Sequence, residues 1–179
     1  FAYQGEPSRH RGGAPRGEPS GHLPPSAFVL FTQNHDQTGN RAMGERLSEL
    51  APPAALDAAR ALLLLCPQVP MMFMGEEWAS RRPFLYFTDF TGALADAVRE
   101  GRAREFSRFA AFAGEAARAA LPDPNAEATF AASRLDPAEA RQPPHAAALA
   151  HTTALLALRH AAVVPHLPGS ASIGADAIG

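Results

Sequence analysis

The chain has 179 residues, 46% of them hydrophobic and 19% charged, which suits one domain with a core and excludes wholesale disorder. Sixteen basic residues, all arginine, against eighteen acidic ones leave a formal net charge of -2, so no electrostatic footprint points to nucleic acid or a membrane surface. A single cysteine, Cys66, excludes an internal disulfide and offers no zinc pattern.

Residues 1–27 are punctuated by Gly5, Pro7, Gly12, Gly13, Pro15, Gly17, Pro19, Gly21, Pro24 and Pro25 without apolar periodicity, which reads as a long loop. Tyr3, Arg9, His10 and Arg11 could reach a ligand from it, and loop solvation explains them equally well. Residues 28–33 then read as a buried strand, rich in aromatic and β-branched side chains (Phe28, Val29, Leu30, Phe31, Thr32). The run ends in a polar cluster of Gln33, Asn34, His35, Asp36 and Gln37. Strand ends in parallel sheets are where ligands bind. Asn and Asp after a strand also form Asx turns or cap a helix, and spacing alone leaves both readings open.

A short helix is expected over 42–50, with Met43, Leu47 and Leu50 at helical spacing. A second, opened by Pro52-Pro53, should run from Ala54 to Cys66; it is apolar nearly all round and therefore expected to be buried. Cys66, between a leucine run and Pro67, reads as a buried, inert thiol. Residues 69–74 read as another buried strand, closed by Gly75-Glu76-Glu77. Strand, helix and strand make a βαβ unit, with parallel strands and a right-handed crossover. Both strands then end on one side, which brings Asp36 and Glu76/Glu77 to a common rim.

The aromatic-rich stretch 78–92 (Trp78, Phe84, Tyr86, Phe87, Phe90 among Arg81, Arg82 and Asp89) suits stacking on sugar rings, and suits an ordinary packed loop as well. A helix is expected from Gly92 to Gly114, with Leu94, Val98, Phe106, Phe109 and Ala113 as a broken apolar stripe interrupted at Gly101. Pro122 to Asn125 reads as a turn, and a short helix is expected after Asp136-Pro137. The last clear helix spans Ala146 to Ala161, with Leu149, Thr153, Leu156 and Ala157 inward. His145, His151 and His160 lack metal-ligand spacing with acidic partners, so neither metal nor cofactor is expected. Residues 165–179 read as the start of a β segment. No signal peptide is visible and no apolar run approaches the roughly 20 residues of a membrane span, which points to a cytoplasmic address. The opening Phe1 and the ending Ile178-Gly179 read as the limits of a piece of a longer protein.

The stretch Phe31-Thr32-Gln33-Asn34-His35-Asp36-Gln37-Thr38-Gly39-Asn40-Arg41, followed by Gly44-Glu45-Arg46-Leu47, resembles the fourth sequence region of the α-amylase superfamily, glycoside hydrolase family 13. The trailing Gln37-Thr38-Gly39-Asn40-Arg41 narrows the resemblance to its trehalose-forming branch. Pro70 to Glu77 and Pro83 to Phe90 are similar to the eighth barrel strand and the loop beyond it, and Gly101 to Phe106 and Leu156 to Pro165 follow the same pattern. The resemblance implies an α/β fold: the C-terminal portion of a (β/α)8 TIM barrel over residues 1–162, with strand seven at 28–33 and strand eight at 69–74. Residues 163–179 would then begin a C-terminal β domain. It implies a retaining glycoside hydrolase acting on a maltooligosaccharide at the α-1,4 bond next to a terminal trehalosyl unit. Asp36 would be the third catalytic carboxylate, which stabilises the transition state, and His35 would hydrogen-bond sugar hydroxyls. Asn34, Gln33, Arg41, Glu76 and Glu77 are the further substrate-binding candidates. The family's nucleophilic Asp and acid/base Glu belong to strands four and five, outside this chain, so the chain alone is expected to be inactive. A branching enzyme, an amylase or a non-catalytic carbohydrate-binding piece are the alternatives.

Overall fold

The computed structural model describes residues 4–110, 114 and 119–171 of the chain. The expectations for Tyr3, for Ala113 and for the β segment beyond residue 171 lie outside the described residues.

Two parallel strands, β1 (Val29–Leu30) and β2 (Val69–Pro70), pair in register, Val29 opposite Val69 and Leu30 opposite Pro70. The ladder reaches one residue further at each end: the Val69 amide donates to the Phe28 carbonyl at 3.0 Å and the Met71 amide to that of Leu30 at 2.8 Å. Both strands are shorter than the six residues expected of each. Pro70 has no N–H to donate, and neither strand has a second neighbour among the described residues to extend its ladder. Nor are they fully buried: Val29 is 57% and Val69 44% exposed.

Between the strands the chain forms α1 (His35–Gly39), α2 (Leu47–Leu50) and α3 (Pro53–Leu65). Of the single helix expected over 42–50 only its last turn, α2, forms, and α1 precedes that range. Gly44, at φ +61°, turns the chain between them where it passes against the Phe84 backbone. For α3 the limits match expectation within a residue, with Pro53 in the first turn, where a missing N–H costs nothing. Its burial does not match. Leu63 and Leu64 are inside, while Leu62 is 65% exposed, so α3 buries one face and not its whole circumference. Cys66 caps this helix and is half-buried, not fully enclosed.

Leu63 and Leu64 meet Leu155 of α6 (His145–Ala162), with Leu30, Ala61, Leu65 and Met72 packed around them. The inward face of α6 is set by Thr152, Leu155 and Arg159, one position away from the face expected from leucine spacing; Thr153, Leu156 and Ala157 are exposed. A buried arginine selects that face. Arg159 donates from Nη1 to the carbonyls of Leu64 (2.9 Å) and Cys66 (2.5 Å), and from Nη2 to that of Gln68 (2.8 Å). The first two are carbonyls that the end of α3 leaves without helical partners, and the third lies in the link to β2. Thr152 donates to the Glu77 carbonyl at 2.8 Å, which ties α6 to the turn after β2. The segment His145–His166, of mean hydropathy 1.3, is long and apolar enough to cross a membrane, contrary to the expectation that no run is. One face of this helix lies against α3, with a buried arginine at the contact, while most of its apolar window is exposed.

Beyond β2, α4 (Gly92–Phe106) ends at Ser107, short of the expected Gly114. A helix not anticipated from sequence, α5 (Glu127–Ala132), follows the Pro122–Asn125 turn. The helix expected after Asp136 is a 3-10 turn, Pro137–Arg141, whose Ala138 amide donates to Asp136 Oδ1 at 2.9 Å. A further 3-10 turn, Val164–His166, occupies the start of the stretch read as β.

Candidate functional site

The polar cluster after β1 does two different jobs. Asn34, in an extended conformation, caps α1: its Oδ1 accepts from the Asp36 amide at 2.7 Å, and the Gln37 side chain accepts from the Asn34 amide at 3.0 Å. This reciprocal capping box is backbone work of the kind Asn performs at helix starts. Gln33 is buried, and its Oε1 accepts from the Leu47 amide at 3.1 Å, fixing the start of α2. The cap leaves the next two side chains free to project. His35 Nε2 stands 3.3 Å from Asp36 Oδ1, and both side chains are well exposed.

Their outlook is a cavity of about 230 Å³, lined by His35, Asp36 and Asn40 on one side and by Phe84, Leu85, Tyr86 and Phe87 on the other. Among the described residues lining it, Asp36 is the one carboxylate. The aromatic wall is the stretch that sequence alone left undecided between stacking platform and packed loop; its rings pack against one another and also line the cavity.

Three devices hold the two walls together. Gly44 lies so close to the loop that an added Cβ would sit 2.6 Å from the Phe84 carbonyl carbon and oxygen, and the Phe84 amide donates to the Gly44 carbonyl at 2.9 Å. Arg102 of α4 donates to the carbonyls of Gly39 (3.2 Å) and Arg41 (3.4 Å) while its guanidinium lies 4.5 Å from the Tyr86 ring centroid. Burial holds this guanidinium below its ordinary range, against the opposing pull of Glu105. Arg46, 1% exposed, donates from Nε to the Arg82 carbonyl at 2.5 Å and from Nη1 to that of Met74 at 2.8 Å, with the Phe73 ring 4.9 Å away. Burial lowers the Arg46 pKa, opposed by Glu76, Glu77 and Glu139. Edge-to-face contacts run from Phe73 to Phe84, Phe87 and Phe130. From behind, the Leu85 amide donates to Ser133 Oγ at 3.0 Å, and Asn125 Oδ1 accepts from Thr88 and the Phe90 amide.

Arg46 and Arg102 were missed as site supports. Nothing in their local sequence marks them, because most of the carbonyls they bind are distant in sequence.

Other expected members sit elsewhere. Glu76 accepts hydrogen bonds from the Thr32 hydroxyl and from the Phe73 amide at 2.9 Å, so it braces the two strand ends and does not line the Asp36 cavity. Glu77 is half-buried and does not line it either. Arg41 pairs with Glu45 at 3.2 Å, not with Asp36. Thus His35 and Asp36 face the cavity, while Gln33, Asn34 and Glu76 support it. Among the described residues no group of three or more His, Cys, Asp or Glu is placed to hold a metal ion.

A parallel strand pair joined through helices, with a carboxylate and an imidazole at the strand end facing an aromatic loop, is an α-amylase-like arrangement. The fold matches a crystal structure from Salmonella typhimurium described as a "Putative alpha Amylase", with a TM-score of 0.85 and 50% identity over 93% of this chain and 27% of that one. In sequence the chain is similar to one part of several malto-oligosyltrehalose trehalohydrolases. It is 44% identical to that of Deinococcus radiodurans over 84% of this chain, 46% identical to that of Arthrobacter ramosus over 76%, and 40% identical to that of Saccharolobus solfataricus over 75%. These matches cover 24%, 23% and 22% of the relatives, so the chain spans about a quarter of their length. No family model matches the chain.

Proposed function

We propose that the protein of which this chain forms part is a retaining glycoside hydrolase that cleaves the α-1,4 bond next to the terminal trehalosyl unit of maltooligosyltrehalose, releasing trehalose. The observation that carries the reading is Asp36, projected by the Asn34 cap into a cavity walled by Phe84 to Phe87. Residues 1–162 then supply strands seven and eight of a (β/α)8 barrel with their helices, and residues 163–179 open a following β domain.

Glycoside cleavage passes through an oxocarbenium-like transition state, and retaining enzymes need two carboxyl groups about 5–5.5 Å apart flanking the bond. The cavity offers one. Asp36 therefore stabilises the developing positive charge, and the nucleophile and the acid/base come from the remainder of the protein. At about 4 Å and an effective dielectric near 20, a full charge pair is worth about 4 kcal/mol, or roughly a thousandfold in rate. His35, one residue away, hydrogen-bonds hydroxyls of the same ring. Phe84, Tyr86 and Phe87 give its C–H face an apolar surface. At about 230 Å³ the cavity is smaller than the ~300–1,000 Å³ of most complete ligand pockets, as expected of one wall of a cleft for a maltooligosaccharide. A cytoplasmic location accords with a soluble glucan substrate.

The test is product analysis with the whole enzyme: free trehalose from maltooligosyltrehalose is expected, with little turnover of plain maltooligosaccharide. The similarity to an α-amylase structure favours, as second reading, a hydrolase or transferase of plain α-glucans. Maltose or a branched product without trehalose would establish that reading and refute the first.

A further inference from the structure

The helix that carries Asp36 is too short to hold itself. Its five residues, His35–Gly39, make little more than one turn, and a helix of that length is not stable alone in water. Yet a carboxylate that acts on a developing charge must keep one direction, set before the reaction begins. Asn34 fixes the start of the turn through its cap. At the other end the Gly39 carbonyl stands past the last helical donors. It accepts from Arg102 Nη2 at 3.2 Å, and the same nitrogen reaches the Arg41 carbonyl at 3.4 Å. Arg102 belongs to α4 and lies 63 residues from Gly39 in sequence, so its grip is tertiary.

The guanidinium is itself held from several sides. It lies 4.5 Å from the Tyr86 ring centroid and 4.8 Å from that of Phe106, and its Nη1 is 3.7 Å from the Glu105 carboxylate. Phe106 is buried, and the Arg102 side chain is only 14% exposed. A planar fork stacked on two rings locates what it binds better than a flexible ammonium does. Its charge also meets the negative end of α1. Tyr86 is part of the facing wall of the cavity. One side chain thus sets both where the turn bearing Asp36 ends and where the opposite ring stands.

We propose that Arg102 is a positioning residue for the reaction: by holding the last turn of α1 it keeps the Asp36 carboxylate aimed at the reacting ring, and it contributes to kcat through Asp36. That role depends on the reading of Asp36 as the group that stabilises the transition state. A misplacement of about 1 Å in such a group costs on the order of a hundredfold in rate. Arg102→Met, which keeps an unbranched stem and removes every donor, should therefore lower kcat roughly 10–100-fold. The loosened Tyr86 ring acts on binding instead and raises KM.

The experiment is a double-mutant cycle in the whole enzyme: wild type, Arg102→Met, Asp36→Asn and the double variant, with kcat and KM measured on whichever α-glucan the wild type turns over. Residues that act as a unit are not additive. The expected result is a 10–100-fold fall in kcat when Arg102 is replaced in wild type, and a fall of less than about twofold when it is replaced in Asp36→Asn. The KM change should be the same in both backgrounds. General damage to the fold would lower kcat by equal factors in the two. Equal factors, or an unchanged kcat in Arg102→Met, would overturn the proposal and leave the reading of Asp36 standing. Near-wild-type kcat in Asp36→Asn alone would overturn that reading and the proposal with it. If Arg102→Met does not fold, Arg102→Lys, which keeps the charge and loses the planar fork, takes its place in both backgrounds.

Discussion

Replacing Gly44 by Ala should damage the protein far more than the loss of two hydrogens suggests, whereas the same change at Gly101 should help it. At Gly44 the added methyl group would lie 2.6 Å from the Phe84 carbonyl carbon and oxygen and 2.8 Å from the Leu85 amide nitrogen. These are backbone atoms, which cannot swing aside. Gly44 also sits at φ +61°, where an L side chain costs roughly 1–2 kcal/mol, and overpacking of a tight site adds roughly 1–3 kcal/mol. The sum is about 2–5 kcal/mol of lost stability. Gly101 lies within α4, with nothing within 4 Å of its added Cβ. There Ala is the better helix former, so a gain of about 0.5–1 kcal/mol is expected. Urea unfolding of the whole enzyme, followed by intrinsic fluorescence, separates the two. With a slope near 2 kcal/mol per molar, a 3 kcal/mol loss moves the midpoint down by about 1.5 M. A Gly44→Ala midpoint at or above that of Gly101→Ala would refute the claim that this glycine clamps the aromatic loop to the cavity's other wall.

Three further outcomes follow from the hydrogen bonding. Arg159→Met removes three bonds to the carbonyls of Leu64, Cys66 and Gln68, the first of them buried, so a loss of about 2–4 kcal/mol is expected; a change under 1 kcal/mol in the same urea assay would show that the contact is incidental. Asn34→Ala should cost about 1 kcal/mol through the lost cap, with substrate KM little changed, and a large rise in KM at unchanged stability would instead make Asn34 a sugar ligand. Asp123 is held below the usual carboxylate range by the Asn125 amide and then by Arg99. A carboxylate with a depressed folded pKa contributes stability above its unfolded value of 3.8 that is lost as pH falls through the lower folded value. Thermal melts between pH 5 and pH 2 should therefore show a shallower acid loss in Asp123→Asn than in wild type, and identical acid limbs would contradict the pairing.

The local elements were legible where one residue decides them: the parallel strand pair, α3 after its two prolines, and the length of α6. What misled was counting apolar residues without knowing what each helix lies against. In α6 the leucines at 149 and 156 suggested one face, but Arg159 dictated another, because three carbonyls at and just beyond the end of α3 needed donors. The strands fell short of their apolar runs because a strand exists only as far as a neighbour pairs with it. In the site, His35 and Asp36 fall in the first turn of α1, beyond the end of β1, and line a cavity, while Asn34 and Gln33 serve the backbone. Glu76 drew attention as a nearby carboxylate, yet its bonds to Thr32 and Phe73 turn it inward. Such long-range partners leave no local periodicity to read.

Turnover of maltooligosyltrehalose by the whole enzyme carrying Asp36→Asn bears most directly on the role given to this carboxylate. A fall in kcat of roughly a thousandfold, with an unchanged unfolding midpoint, is the expected result. Near-wild-type kcat in a folded Asp36→Asn enzyme would contradict it.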